Sequence, residues 1–253
     1  MLKLNGLRVL NTRPVGQSEA LNHAIEAAGG VAIALPALAI EPVMPHWVKT
    51  LPPLGSIQQA IFISANAVKF FFEGLISHKK AWPKAIVVIA IGEATSQALS
   101  DYQICVDIQP KYATSESMLN LDAMQQLKDQ TILLVKGEGG RAMLATKLNK
   151  RGAHVLSLPV YRRTLPQMDS LRIMQVWQEN TVDIIVITSV QSLRNIFALF
   201  GKKAYAWLCT KPCVVISERI AEVATELGMQ TIIVSAYDAI LPTLAQFQLR
   251  MRT

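Results

Sequence analysis

Short apolar runs alternate along this chain with longer stretches in which apolar residues recur every three to four positions. Val9–Leu10, Ile61–Ile63, Val87–Ile91, Val155–Leu158 and Ile184–Ile187 are compact runs rich in Val and Ile. Such runs predict parallel strands buried on both faces. Between them, stripes such as Ala20, Leu21, Ala24, Ile25 and Ala28 predict amphipathic helices. Strand–helix alternation predicts an α/β fold with doubly wound parallel sheets and right-handed crossovers. No apolar run approaches the roughly 20 residues that a membrane-spanning helix needs.

The pattern is duplicated. Residues Leu7 to Pro42 and Thr131 to Pro166 both read strand, polar loop, amphipathic helix, Gly, strand, Pro, extended stretch, Pro. Gly29 and Gly152, and likewise Pro36 and Pro159, stand 123 positions apart, and Pro42 and Pro166 stand 124 apart. A second segment type repeats too. Ala60–Leu75 resembles Asp183–Phe200, with Ser64 and Ser189 separated by 125, and Val87–Leu99 resembles Cys213–Leu227, with Gly92 opposite Ser217 at the same offset. The order is therefore A1, B1, A2, B2. A tandem reading of that order would cut the chain near residue 125.

In open α/β sheets, ligands sit at the carboxyl ends of strands, where the next helix presents unpaired N–H groups and its positive dipole end. Small polar residues occupy these turns: Thr12-Arg13-Pro14, Ser64-Ala65-Asn66 and Gly92-Glu93-Ala94-Thr95 in the first half. The second half offers Lys136-Gly137-Glu138-Gly139-Gly140-Arg141, Thr188-Ser189-Val190-Gln191 and Ser217-Glu218-Arg219. Small side chains let an anion approach the backbone, and Arg13, Lys136, Arg141 and Arg219 add charge. Ordinary helix capping accounts for any one such turn. Six of them in a duplicated, basic chain point to anion binding.

Composition narrows the classes. The net charge of +7 suits an anionic partner, yet basic runs never exceed two residues and aromatics are only 6%, so nucleic-acid platforms are not supported. Cys105, Cys209 and Cys213 form no CxxC pair and no disulfide framework. His23, His46, His78 and His154 lack metal-ligand spacing. The beginning Met-Leu-Lys-Leu-Asn-Gly has no signal-peptide h-region, so a cytoplasmic protein is expected, not at a membrane. There is no G-x-S-x-G elbow, HExxH or Walker A motif. Gly137 to Ala142 fits G-x-G-x-x-A, but no Asp or Glu lies between Glu138 and Asp169 to hold a ribose. Only Arg162 and Arg163 remain, as a 2′-phosphate site.

The ordered series of turns resembles the uroporphyrinogen-III synthase family across nearly the whole chain. The resemblance is carried by Asn11-Thr12-Arg13-Pro14, Pro36…Ile40-Glu41-Pro42, Phe62-Ile63-Ser64-Ala65-Asn66-Ala67-Val68 and Ile91-Gly92-Glu93-Ala94-Thr95. It continues through Lys136 to Arg141, Leu144, Leu148, Arg151-Gly152-Ala153, Val160-Tyr161-Arg162 and Thr188-Ser189. It implies two flavodoxin-like, doubly wound domains, nested rather than tandem: 1–36 with 167–253, and 44–159, joined by a two-stranded linker of 37–43 and 160–166. It also implies a cofactor-free, cyclising lyase acting on hydroxymethylbilane, a tetrapyrrole with eight carboxylates. Loss of hydroxide from ring A gives an azafulvene, ring D attacks through its substituted carbon to form a spiro intermediate, and reclosure inverts ring D. Tyr161 is carried over as the catalytic residue, placed at a cleft by its linker, with Thr95 binding substrate from the other side. Arg13, Ser64, Ala65, Asn66, Gly92, Lys136, Gly139, Arg141, Ser189, Gln191 and Ser217 are the further substrate-binding candidates. The family's last turn usually carries Gly and Thr, where this chain has Ser217-Glu218-Arg219. A carboxylate at Glu218 would oppose a polyanion unless it faces away.

Two other classes compete. A non-catalytic two-domain anion-binding module would keep the helix-end turns without needing Tyr161. An NADP-dependent oxidoreductase would use Gly137 to Ala142. No metal, no nucleic acid and no obligate partner subunit is called for, and a hinged monomer is expected.

Overall fold

The computed structural model describes residues 2–139 and 142–251. It divides into two compact units, Met1–Ala39 with Thr164–Thr253 and Ile40–Arg163. The chain begins in unit 1 with β1 (Arg8–Asn11), α1 (Glu19–Ala27) and β2 (Val31–Ala34). Unit 2 follows with β3 (Ala39–Pro42), α2 (Trp47–Thr50), β4 (Gln59–Phe62), α3 (Ala65–Ser77), β5 (Val87–Ala90) and α4 (Glu93–Asp101). It closes with α5 (Ser115–Leu119), β6 (Thr131–Gly137), α6 (Met143–Lys150) and β7 (His154–Thr164). The chain then returns to unit 1 through α7 (Ser170–Gln178), β8 (Ile184–Ile187), α8 (Val190–Thr210), β9 (Cys213–Val215), α9 (Glu218–Glu226), β10 (Ile232–Val234) and α10 (Ile240–Arg250).

Sheet order in unit 1 is β10-β9-β8-β1-β2, with every neighbour pair parallel. Counted along the chain, this is the flavodoxin-like order 2-1-3-4-5. Unit 2 runs β3-β7-β6-β4-β5, in which β7, β6, β4 and β5 are parallel neighbours. Side chains alternate between two apolar layers in both sheets, as the period of two along a strand requires. On β8, Ile185 and Ile187 join one layer while Ile184 and Val186 join the other. On β6, Leu133 and Val135 face the layer around Phe62 and Phe71, and Ile132 and Leu134 face the layer around Met118 and Leu148. Both faces are apolar, which is why these strands read as unbroken runs rather than alternating ones.

The repeat has a backbone cause at its glycines. Gly29 follows α1 with φ 76° and Gly152 follows α6 with φ 90°. Both take the left-handed position that ends a helix, where a Cβ is penalised. Ser64 and Ser189 repeat for a similar reason: each caps a helix, accepting from the N–H three residues on, Ala67 and Ser192 respectively.

The two segments expected to form a two-stranded linker are largely strand. Within 37–43, Ala39–Pro42 is β3, and residues 160–164 complete β7. Val43 N–H donates to the Val160 carbonyl at 3.0 Å, and Arg162 meets Glu41 at 3.3 Å. The prolines do keep both stretches extended. Extended backbone still needs partners for its N–H and C=O groups, and these two segments lie side by side at one edge of the second sheet.

Candidate active site

Pro159 interrupts the β6–β7 ladder, because it has no N–H to donate. The register steps from Lys136 opposite Pro159 to Gly137 opposite Tyr161, skipping Val160. That step lays the Tyr161 ring on Gly137. A Cβ added to Gly137 would stand 2.6 Å from ring carbon Cζ, so only glycine leaves room. Tyr161 is 2% exposed, and its ring stacks on Phe70 at 6.0 Å between centroids. Its hydroxyl lies 3.1 Å from Ser64 Oγ and accepts from Arg163 Nη2 at 3.2 Å. The Arg163 guanidinium also lies 5.5 Å from the ring centre. Ser64 Oγ in turn accepts from Ala67 N–H at 3.1 Å as the N-cap of α3.

Further unit 2 candidates surround these strand ends. Ala65 and Asn66 form the first turn of α3 and are half-buried. Gly92 caps α4 in extended backbone, and there a Cβ would come within 2.8 Å of Ala113 Cβ, so packing selects glycine. Thr95 is buried in the first turn of α4, its N–H donating to the Gly92 carbonyl at 3.0 Å. Lys136 and Gly139 line a cavity of about 280 Å³ together with Ile63, Ile91, Ser115 and Leu134. Arg141 lies outside the described residues. Thr95 and Tyr161 both belong to unit 2, because β4 pairs with β5 on one side and β6 on the other, so segments B1 and A2 share one sheet.

In unit 1 the turn after β1 is pinned from below. Thr12 Oγ1 donates to the Val186 carbonyl at 2.7 Å, and Asn11 Nδ2 donates to Asn22 Oδ1 at 2.7 Å, both Asn11 and Thr12 being fully buried. This holds Arg13 at the surface, where its guanidinium hydrogen-bonds to the Tyr237 hydroxyl and lies 5.0 Å from that ring's centre. Ser189 caps α8 and donates to Ser192 Oγ at 2.8 Å. Gln191 Nε2 donates to Asn195 Oδ1 at 2.8 Å, and Asn195 Nδ2 to the Ala37 carbonyl at 2.7 Å. Ser217 is the N-cap of α9 without a side-chain capping bond. Glu218 is exposed in the first turn of α9, where the helix dipole favours a carboxylate.

The charge pair that anchors unit 1 sits at the opposite ends of its strands. Arg8 opens β1 and binds Asp183 through its side chain at 2.5 Å and its backbone N–H at 2.8 Å. Burial works to raise the Asp183 carboxyl, but the Arg8 hydrogen bonds and charge outweigh it and hold the carboxyl below its ordinary range. Among the described residues, no three His, Cys, Asp or Glu side chains gather in a group able to hold a metal.

A model of the family described as Uroporphyrinogen-III synthase HemD matches residues 19–239 of this chain. The chain belongs to the uroporphyrinogen-III synthase family. It is 30% identical over 230 residues to uroporphyrinogen-III synthase of Escherichia coli, covering 89% of this chain and 94% of the relative. It is 27% identical over 199 residues to that of Chlorobaculum parvum, covering 77% and 80%. Two solved structures share its fold. One is a mutant uroporphyrinogen III synthase of the extremely thermophilic bacterium Thermus thermophilus, with TM-score 0.61, 19% identity and coverage of 97% and 98%. The other is uroporphyrinogen-III synthetase of Helicobacter pylori, with TM-score 0.62, 16% identity and coverage of 97% and 100%.

In this member of the uroporphyrinogen-III synthase family, the first glycine of the glycine-rich turn has a packing cause: Gly137 makes room for the Tyr161 ring. Nothing in the sequence marks Tyr237 or Asn195 as part of a site. Neither lies in a duplicated turn, and Tyr237 carries no signal beyond being an aromatic just after the apolar run Ile232–Val234.

Proposed function

We propose that this protein is a uroporphyrinogen-III synthase, a cyclising lyase that closes hydroxymethylbilane to uroporphyrinogen III with inversion of ring D and loss of water. The observation that carries the mechanism is the Tyr161 hydroxyl, held between Ser64 and Arg163 at the carboxyl end of the unit 2 strands. Tyr161 is the group to protonate the departing hydroxyl of ring A. The rest of the catalysis is positioning. The bilane must be folded so that attack through the substituted carbon of ring D outruns simple head-to-tail closure to the type I isomer.

The substrate carboxylates call for cations and open N–H groups. Arg13 and Lys136 supply charge near strand ends, and the first turns at Ser64–Asn66, Gly92–Thr95 and Ser217 offer backbone donors. Gly139 and Arg141 belong to the same proposed set. Ser189 and Gln191 already have side-chain partners within unit 1, so their contribution comes through the backbone of the α8 first turn. The net charge of +7 favours capture of a polyanion. We further place the protein in the cytoplasm as a monomer. Its three cysteines are all free, which suits a reducing compartment, and no described helix is long and apolar enough to cross a membrane.

The test is an isomer assay. Purified protein is incubated with hydroxymethylbilane without added metal or nucleotide, and the oxidised porphyrins are separated by chromatography. Predominantly type III product is the expected result. Type I alone, formed at the uncatalysed rate, refutes the enzyme and leaves an anion-binding module.

A further inference from the structure

The surroundings of the Tyr161 hydroxyl say more than that it is a candidate acid. A phenol oxygen carries one proton and two acceptor positions, and a serine hydroxyl likewise has one proton to give. The Arg163 guanidinium has only donors, so its contact at 3.2 Å must occupy an acceptor position on Tyr161 Oη. Ser64 Oγ accepts from Ala67 N–H and has its own proton available for the tyrosine oxygen 3.1 Å away, a contact across which either hydroxyl can donate. We infer that Ser64 and Arg163 are positioning residues that fill both acceptor positions of the Tyr161 hydroxyl, so that its proton is left for the substrate. The inference rests on the proposed cyclase reading.

The step balances. The proton passes from Tyr161 Oη to the hydroxymethyl oxygen of the substrate. The carbon–oxygen bond breaks with its electron pair on that oxygen, which departs as water, and the pyrrole nitrogen lone pair fills the electron gap. Tyr161 is left as a phenolate beside the Arg163 cation, which offsets the new negative charge. Attack through the substituted carbon of ring D sheds no carbon-bound proton. Once the spiro intermediate has fragmented, the unsubstituted α-carbon of ring D closes the macrocycle and loses its proton, which the phenolate takes back. Arg163 fits the part geometrically. It is two residues from Tyr161, on the same strand, and its side chain is exposed while the ring it attends is buried. Its replacement should therefore leave the core intact.

A double-mutant cycle tests this. Arg163→Met and Tyr161→Phe are made singly and together, and kcat and KM for hydroxymethylbilane are measured with the type III to type I ratio. Arg163→Met is expected to lower kcat about tenfold or more with KM changed less than about twofold, within the range that general acids contribute. Arg163→Lys, which keeps a charged donor, should restore part of the loss. In the Tyr161→Phe background, Arg163→Met should cost almost nothing further, because the group it serves is gone. Additive losses, or a loss confined to KM, overturn the inference and make Arg163 a direct substrate contact. Ser64→Ala, followed in the same cycle with its thermal stability, should couple to Tyr161 in the same sense. Wild-type protein that makes no type III isomer refutes the cyclase reading itself. Wild-type activity with a fully active Tyr161→Phe leaves the cyclase standing and refutes both the acid role and this inference.

Discussion

Each unit sets an arginine against a tyrosine near its strand ends, but the two pairs are built for opposite purposes. In unit 2 the tyrosine is fixed and the arginine attends it. Tyr161 is 2% exposed, wedged on Gly137 and against Phe70. In unit 1 the arginine is mounted on a buried turn and the tyrosine attends it, with Tyr237 56% exposed. A buried hydroxyl with fixed partners has one orientation, which proton transfer needs. An exposed guanidinium leaning on an aromatic face keeps its reach and its hydration, which suits gripping a carboxylate that arrives from water.

The contrast is broken most severely at Gly137. Gly137→Val puts carbon where the Tyr161 ring stands, so the ring must leave or the strand must shift. Type III synthesis should fall by about two orders of magnitude or more, and stability by about 1–3 kcal/mol, as overpacked sites generally lose. Retention of wild-type kcat would show that the exact seat of the ring is unimportant. A smaller effect is expected in unit 1. Arg13→Gln should raise KM about fivefold, equivalent to about 1 kcal/mol for one exposed charge contact, and should reduce the salt dependence of KM. Tyr237→Phe should change either constant less than about twofold, since the guanidinium can still turn to water and to the ring face. Equal losses in the two variants would mean that Tyr237 touches the substrate itself.

The smallest effect lies away from the site. Asp183→Asn should leave kcat and KM unchanged and lower stability at neutral pH by about 0.5–1 kcal/mol, in keeping with a partly exposed pair. The folded Asp183 carboxyl sits below its unfolded value. Its contribution is therefore present above the ordinary Asp range and disappears as pH falls through the depressed value. Wild type should lose its margin over Asp183→Asn on acidification, which chemical denaturation at a series of pH values would follow.

The fold was legible because its causes are local. Apolar runs named the central strands, and Gly29 with Gly152 marked two helix ends that need left-handed backbone. Ser64 and Ser189 were legible for the same reason, each making its bond within one helical turn. What escaped depends on pairings distant in the chain. That residues 39–42 and 160–164 run as two neighbouring strands came from the family resemblance, because nothing in either segment alone shows that the other will pair with it. The contact between Ser64 and Tyr161 spans 97 positions and exists only because Pro159 shifts a register. Arg163 reads in sequence as a phosphate ligand in a basic doublet, because nothing there shows that its guanidinium turns to the Tyr161 ring and hydroxyl, and Tyr237 meets Arg13 across 224 positions.

The nesting of the units bears on how the chain is made. Unit 2 is contiguous, and all its strands have been synthesised once Arg163 has left the ribosome. Unit 1 then still lacks everything from Thr164 onward, including three of its five strands. β1 and β2 exist, but the inner neighbour of β1 is β8, whose register sets Val9 against Ile184. Domains fold as units during synthesis, and exposed strand edges invite association in the interval. β1 thus emerges before unit 2 and is enclosed after it, with Val9 and Leu10 uncovered on one edge while residues 40–163 are already folded behind them. Translation pauses or truncations between Thr164 and Ile187 should expose that edge, whereas the same interruption after Val215 should not.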